Sequence, residues 1–197
     1  MLNDAYDWWL DMSDMEFYAW YDKIFSEEEL DLIENLYSES DLKLGEIQNS
    51  EKTDTNIRDS NVKFIPSSDT QNRWLFERLT GIINNANERF FQLDLNRIET
   101  LQYTVYKPGQ YYRDHLDLGY TNPNNAVRKL SFSLQLTGPT TYKGGDLILK
   151  HGSEPETARR DRGSITFFPS YILHEVTPVT EGVRKSLVGW VTGPRWR

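Results

Sequence analysis

Apolar residues follow a helical period in the first half of the chain. The stretches SEEELDLIENLY (26–37) and QNRWLFERLTGIINNANERFF (71–91) each place their apolar side chains three or four positions apart. Ser26 and Glu29 have the spacing of a capping box, which predicts that the first helix begins there. We therefore expect two amphipathic helices before residue 97.

From residue 97 the period changes from helical to strand-like. Short runs rich in Val, Ile, Tyr, Phe and Thr are separated by Gly, Pro, Asn and Asp, and RDSNVKFI (58–65) is a similar run further upstream. Helices followed by at least six strands predict an α+β chain that is mainly β, a double-sheet jelly roll or barrel with helices on one side. The later runs are RIETLQYTVY, RKLSFSLQLT, GDLILK, GSITFFP and RKSLVGWVTG.

Residues 1–22 combine aromatic and acidic side chains, and we interpret them as an extension of a domain that covers residues 23–197. Apolar positions between Trp8 and Ala19 fall at helical spacing, which predicts a short amphipathic helix. Two roles stay open for this helix: it could cover part of the core, or it could be an arm that binds a partner.

Charge and composition exclude several classes of function. The net charge is -8, and ten acidic side chains with one lysine lie within residues 1–31, which disfavours nucleic-acid binding. We interpret the cluster Arg159, Arg160 and Arg162 as a solvated loop. The absence of cysteine excludes disulfides, zinc fingers and thiol nucleophiles, so a metal site would need His, Asp or Glu.

The chain has no apolar run near the roughly 20 residues that span a bilayer, and its N-terminus is unlike a signal peptide. We therefore expect a soluble cytoplasmic protein that binds no membrane.

The chain has three histidines. Two of them, His115 and His174, lie beside predicted strands. His115 and Asp117 are two positions apart, so on a strand both side chains would point to one side. His174 follows a later apolar strand and a turn that contains proline. A histidine, a carboxylate and a distant histidine form the ligand pattern that holds Fe(II) on one face and leaves the other open.

Arg184 lies ten residues after His174, on the next predicted strand. Its guanidinium could bind a carboxylate with two hydrogen bonds. An iron oxygenase that uses 2-oxoglutarate needs such a cation, because the cosubstrate chelates the metal through its other end. Lys185 is the alternative, and because neighbours on a strand face opposite ways, only one of the two can face the site.

Several motifs in order carry a resemblance to a known family. LQYTVYKPGQYYRDHLD, RKLSFSLQLT, GGDLIL and SITFFPSYILHEVTPVTEGVRKSLVGWV resemble the prolyl-hydroxylase group of Fe(II)/2-oxoglutarate oxygenases, above all the small bacterial and phage members called PKHD-type or prolyl 4-hydroxylase-like. The resemblance covers roughly residues 20 to 193. It implies a double-stranded β-helix, a cupin-like jelly roll, and a cytoplasmic site of action, in the host cell for a phage protein.

The resemblance also implies roles for individual residues. His115, Asp117 and His174 would bind iron, and Arg184 would bind the distal carboxylate of 2-oxoglutarate. A further group would line the cosubstrate pocket or contact the substrate. Its members are Tyr106 and Gln135 on the cosubstrate side, and Arg58, Tyr112, Arg128 and Trp190 on the substrate side, with residues 45–57 as a lid loop.

One departure from the family concerns Gln135, which stands where many relatives have a tyrosine whose hydroxyl helps to hold the carboxylate. Trp190 could equally be a core residue or a pocket residue. Both positions bear on how the cosubstrate and substrate would be held.

The function implied is hydroxylation of a C–H bond with Fe(II), 2-oxoglutarate and O2, stimulated by ascorbate. A prolyl residue in a protein or peptide is the favoured substrate. The alternatives are a free amino acid or other small molecule, or a non-catalytic jelly-roll module that keeps a metal. Arg184 separates these classes, because a structural metal has no use for a buried cation ten residues past its last ligand. The oligomeric state stays open.

Overall fold

The computed structural model describes residues 15–36, 38–45, 54–119 and 127–195. Two α-helices, α1 (Glu27–Glu34) and α2 (Arg73–Ala86), confirm the helical periods. The capping box is formed: Glu29 N–H donates to Ser26 Oγ, and Ser26 N–H donates to the Glu29 carboxylate. Single turns flank them, of 3-10 type at Glu39–Asp41 and Thr70–Asn72 and of π type at Asn87–Phe91.

The described residues contain fifteen strands, mostly short and antiparallel. They are β1 (Ala19–Tyr21), β2 (Lys43–Leu44), β3 (Arg58–Asp59), β4 (Asn61–Ile65), β5 (Arg97–Ile98), β6 (Leu101–Tyr106), β7 (Tyr111–His115), β8 (Val127–Gln135), β9 (Tyr142–Gly144), β10 (Leu147–Lys150), β11 (Glu156–Thr157), β12 (Ile165–Pro169), β13 (Leu173–Val176), β14 (Val179–Gly182) and β15 (Arg184–Gly193).

These strands form a large sheet and a small sheet. The large sheet has the order β1-β12-β8-β15-β6-β4-β2, with β5 paired to β15, and the small sheet has the order β11-β10-β13-β7-β3. A separate ribbon joins β9 and β14. A small apolar cluster holds the two sheets together; it includes Tyr106 and Phe168 from the large sheet and Leu149 and Val176 from the small one.

Side-chain alternation gives the two faces of the large sheet different compositions. On β8, Leu130, Phe132 and Leu134 belong to an apolar core shared with α1 and α2. The polar residues between them, Ser131 and Ser133 among them, face the small sheet, because successive side chains of a strand point to opposite faces. β6, β12 and β15 repeat the pattern, so helices cover one face and the other lines the space between the sheets.

Within the described residues, from residue 15 onward, the predicted N-terminal helix is wrong. Residues 19–21 form β1, which pairs with β12 so that Ala19 lies opposite Phe167. The free edge of the large sheet offers unpaired backbone groups, and pairing them outweighs the helical spacing of a few apolar side chains. Residues 1–14 of that prediction, and 46–53 of the predicted lid, lie outside the described residues. No helix of the described chain is long and apolar enough to cross a membrane.

The arginines predicted to lie in a solvated loop are held by acidic partners. Arg162 Nη2 lies 2.7 Å from Asp31 Oδ1 and 3.0 Å from Glu34 Oε2, both on α1. Arg160 Nη1 lies 2.9 Å from Asp146 Oδ1. Two of the three charges of this cluster are therefore matched within the chain.

Candidate metal centre and cosubstrate pocket

His115, Asp117 and His174 converge between the two sheets. His174 on β13 lies directly opposite His115 at the end of β7 in the antiparallel register. Asp117 Oδ1 is 3.7 Å from His115 Nε2, and Asp117 Oδ2 is 3.4 Å from His174 Nε2. One ligand atom from each residue lies within 4.8 Å of the others. The three residues that the sequence singled out thus form one cluster.

Asp117 reaches the cluster by a route that differs from the prediction. Strand alternation was expected to align it with His115, but β7 ends at His115 and Asp117 lies beyond the strand. Its N–H donates to the carbonyl of Ser170 at 2.9 Å, just after β12 of the opposite sheet. A contact between the sheets, rather than the period of one strand, therefore positions this carboxylate.

Both histidines present the same ring nitrogen to the cluster. His115 Nδ1 lies 2.8 Å from the carbonyl of Arg113, and His174 Nδ1 lies 2.8 Å from the carbonyl of Ile172. A carbonyl only accepts, so each Nδ1 carries a proton, and the lone pair of the corresponding neutral tautomer lies on Nε2, the atom nearest to Asp117. Metal-binding histidines are oriented in this way by a second hydrogen bond.

The charge state also suits a metal. Burial, together with the neighbouring His174, lowers the pKa of His115 to about 4, which keeps its imidazole neutral near pH 7. For Asp117 burial opposes ionisation, but the two histidines, when protonated, outweigh it and lower the pKa of the carboxyl. Two imidazole nitrogens and one carboxylate are a donor set that fits a divalent iron, with three donors from the protein and the remaining positions open.

Arg184 lines the same cavity. It begins β15, its side chain is buried, and Nη1 donates to Ser186 Oγ at 3.2 Å. Among the described residues no carboxylate lies within ion-pair distance of this guanidinium. Lys185, its neighbour, faces α1 and pairs with Glu34 at 3.0 Å. A buried cation without an acidic partner is costly, so its position indicates an anionic ligand.

Tyr106 lies opposite Arg184 in the register of β6 and β15, with the guanidinium 5.6 Å from its ring. Burial raises the pKa of Tyr106, so its hydroxyl stays protonated as a donor. Gln135 is also buried, but its amide donates to the carbonyl of Thr137 at 3.1 Å and to the Tyr142 hydroxyl at 3.2 Å. Gln135 lines a second small cavity, together with Tyr142, on which Arg184 also borders.

The residues predicted to contact substrate lie around the cavity. Tyr112 stacks on His115 with ring centroids 3.5 Å apart, and the Arg58 guanidinium lies 4.7 Å from the centre of the Tyr112 ring. Burial raises the pKa of Tyr112 to about 12, so its phenol is neutral. Arg58 itself is buried and donates to Ser60 Oγ at 2.9 Å.

Arg128 and Trp190 form a second stacked pair at the cavity. The Arg128 guanidinium lies 3.9 Å from the centre of the Trp190 ring and binds Glu99 Oε2 through Nε and Nη2 at 2.9 and 2.7 Å. Trp190 is therefore a pocket residue that is 8% exposed. Glu99, which neutralises Arg128, was not predicted, because no sequence motif links the two residues.

The site residues predicted from the sequence, except Gln135, line one cavity of about 240 Å³. This volume has room for a small organic anion beside a metal. The remaining lining residues are Phe64, Gln102, Phe132, Ser133, Leu147, Phe168, Val176, Ser186 and Val188.

The sequence of residues 101–192 matches the family model described as the 2OG-Fe(II) oxygenase superfamily. The predicted resemblance is confirmed. Among curated proteins, PKHD-type hydroxylases are similar: one from Rippkaea orientalis is 33% identical over 121 residues, 59% of this chain and 54% of its own. One from Gloeothece citriformis is 37% identical over 95 residues, 48% of this chain and 43% of its own. The chain spans about half the length of these relatives or less.

Solved prolyl hydroxylases share the fold. A prolyl hydroxylase from Trichoplax adhaerens, in complex with a hypoxia inducible factor peptide fragment, superposes with a TM-score of 0.74 at 18% identity, covering 90% of this chain and 84% of that one. A Pseudomonas putida prolyl-4-hydroxylase gives 0.68 at 20%, covering 89% and 92%. The predicted double-stranded β-helix with helices on one side is confirmed.

Proposed function

We propose that this chain is an oxygenase that depends on Fe(II) and 2-oxoglutarate and hydroxylates a C–H bond. The observation that carries the proposal is a buried His-Asp-His cluster that shares one cavity with a buried arginine lacking an acidic partner among the described residues. The match of residues 101–192 to the oxygenase superfamily supports the same reading.

In this proposal His115 Nε2, His174 Nε2 and Asp117 bind Fe(II), and Arg184 binds the distal carboxylate of 2-oxoglutarate. Fe(II), with 2-oxoglutarate and O2 as cosubstrates, supplies the oxidising chemistry. The protein fixes the geometry: burial holds the His115 imidazole neutral, the Asp117 carboxylate stays ionised, and Arg184 captures an anion away from bulk water. Tyr106 is a neutral donor beside Arg184, and Gln135 supports the region next to it through Tyr142.

The proposed substrate is a prolyl residue in a protein or peptide. It is supported by the similar fold of the prolyl hydroxylase from Trichoplax adhaerens, whose structure contains a bound peptide fragment. Arg58 and Tyr112 on one side, and Arg128 and Trp190 on the other, would contact it. A free amino acid or other small molecule is the second candidate, because the cavity is of small-molecule size.

The first test is metal-dependent turnover of 2-oxoglutarate. Purified protein, Fe(II), ascorbate, 2-oxoglutarate and a cell extract should form succinate, and a His174→Ala variant should lose at least about a hundredfold of that rate. His151→Ala, which removes a histidine outside the cluster, is the matched control and should keep the rate. Succinate formation equal in the wild type and His174→Ala would refute the enzymatic proposal.

The second test identifies the substrate by mass spectrometry of the same extract. One added oxygen on a proline, present with the wild type and absent with His174→Ala, would establish prolyl hydroxylation. Succinate without modified proline would keep the oxygenase and move the search to small molecules. Metal binding by the wild type with no succinate in any extract would instead favour the non-catalytic module.

A further inference from the structure

A chain of two serine hydroxyls ends on the carboxylate of the proposed metal site. Ser131 Oγ on β8 lies 2.8 Å from Asp117 Oδ2, and Ser170 Oγ after β12 lies 2.9 Å from Ser131 Oγ. Both serines are fully buried. Neither belongs to the residues that the sequence analysis assigned to the site.

The direction of these hydrogen bonds follows from counting protons. The ionised carboxylate of Asp117 only accepts, so the single hydroxyl proton of Ser131 points to it. Ser131 Oγ then receives the hydroxyl proton of Ser170. The two bonds run one way, Ser170 to Ser131 to Asp117, and each bond in such a chain polarises the next.

The serines compensate for the position of Asp117 beyond the end of β7. Its backbone N–H donates to the carbonyl of Ser170 at 2.9 Å, and the N–H of Ser170 donates to the carbonyl of Lys129 at 3.0 Å. These backbone bonds place the main chain of Asp117 and do not by themselves orient its carboxylate. The hydroxyl of Ser131 contributes to that orientation, because it donates to Oδ2.

We propose that Ser131 and Ser170 are positioning residues that fix the orientation of the Asp117 carboxylate, so that a bound metal would take one carboxylate oxygen rather than both. The inference rests on the proposed function, since it takes the cluster to be a metal site. A carboxylate that bound through both oxygens would occupy a further coordination position, and the cosubstrate and oxygen need the positions that the protein leaves open. The hydrogen bond from Ser131 makes the second oxygen a poorer ligand.

The test is a titration of purified protein with Co(II) alone, followed by visible absorption, which reports both affinity and coordination number. Ser131→Ala should weaken Co(II) binding about tenfold and change the absorption spectrum, because hydrogen-bonded partners of metal ligands typically contribute that much. Ser170→Ala, one bond further away, should weaken binding about threefold. Thermal unfolding of each variant reports whether the fold is kept.

Ser164→Ala is the matched control. Ser164 is 1% exposed and its hydroxyl donates to the Asp22 carboxylate at 2.6 Å, so it is also a buried serine bonded to an acid. It precedes β12, whereas Ser170 follows that strand. Ser164→Ala should therefore bind Co(II) with wild-type affinity and an unchanged spectrum.

The outcomes separate the two proposals. No Co(II) binding by the wild type, or equal binding by His174→Ala, would overturn the metal site itself. Tight binding by the wild type with a folded Ser131→Ala variant of equal affinity and spectrum would overturn only the role of the serines. If Ser131→Ala does not fold, Ser170→Ala decides: weaker binding with an altered spectrum supports the proposal, and unchanged binding overturns it.

Discussion

The two faces of the large sheet have the same backbone but opposite chemistry. Toward α1 and α2 the strands present apolar side chains, such as Leu134 and Leu187, that are fully buried in the core. Toward the small sheet the same strands present Ser131, Arg184 and Ser186, all buried and polar. One face is built for burial of apolar area, and the other buries polar groups that cost stability.

The apolar face stabilises the fold, whereas the buried polar groups of the other face lower its stability and form the candidate site. A buried arginine without a carboxylate partner lowers the stability of the free protein, and the apolar face must offset that loss. Adjacent residues divide the two tasks: Arg184 faces the cavity, whereas Lys185 faces Glu34 on α1. Mutations on the two faces should therefore affect different measurements.

The largest expected effect is on cosubstrate binding. Arg184→Met should weaken 2-oxoglutarate binding by about 2–5 kcal/mol, at least thirtyfold, while the free energy of unfolding stays equal or rises, because a buried charge is removed. Isothermal titration with metal present and urea denaturation would measure the two quantities. Lys185→Met removes a neighbouring charge from the other face and should keep cosubstrate affinity. Equal losses in both variants would contradict the division of the faces.

A truncation on the apolar face should show the reverse behaviour. Leu134→Ala should lower the free energy of unfolding by about 2–5 kcal/mol, because Leu134 is fully buried beneath the helices. The folded fraction should bind Co(II) as the wild type does. Ser133→Ala on the opposite face is the control in urea denaturation, and a loss of stability as large as that of Leu134→Ala would refute the comparison.

The smallest expected effect comes from adding one methyl group to the apolar face. A Cβ at Gly189 on β15 would lie 2.3 Å from Phe132 Cζ and 2.9 Å from Leu101 Cδ2, both buried. Gly189→Ala should therefore cost about 1–3 kcal/mol in urea denaturation through overpacking. Gly81→Ala, where a Cβ would meet nothing within 4 Å, is the control and should not destabilise. An unchanged free energy of unfolding in Gly189→Ala would mean that this face is packed more loosely than its contacts indicate.

Local patterns in the sequence predicted several features correctly. The capping box of Ser26 and Glu29, the period of α2, and the alternation of Arg184 and Lys185 all depend on neighbours within a few residues. The family resemblance rested on ordered motifs, and the match over residues 101–192 confirmed it. The roles assigned to single site residues stay predictions until the variants are measured.

Other features depended on contacts between distant segments. Residues 19–21 became a strand because the edge of β12 was available for pairing. Arg128 is held by Glu99, 29 residues earlier in the chain, and no local period shows this pairing. Such a contact arises only when the fold brings distant segments together.

The sequence by itself determined the residue types of the site and the strand-like alternation that separates apolar from polar side chains. The tertiary structure alone decided how they meet. His115 and His174 become neighbours through the register of β7 and β13, and Asp117 joins them through bonds to Ser170 and Ser131. The physical reason is that alternation acts within one strand, whereas register and the packing of two sheets depend on the whole chain.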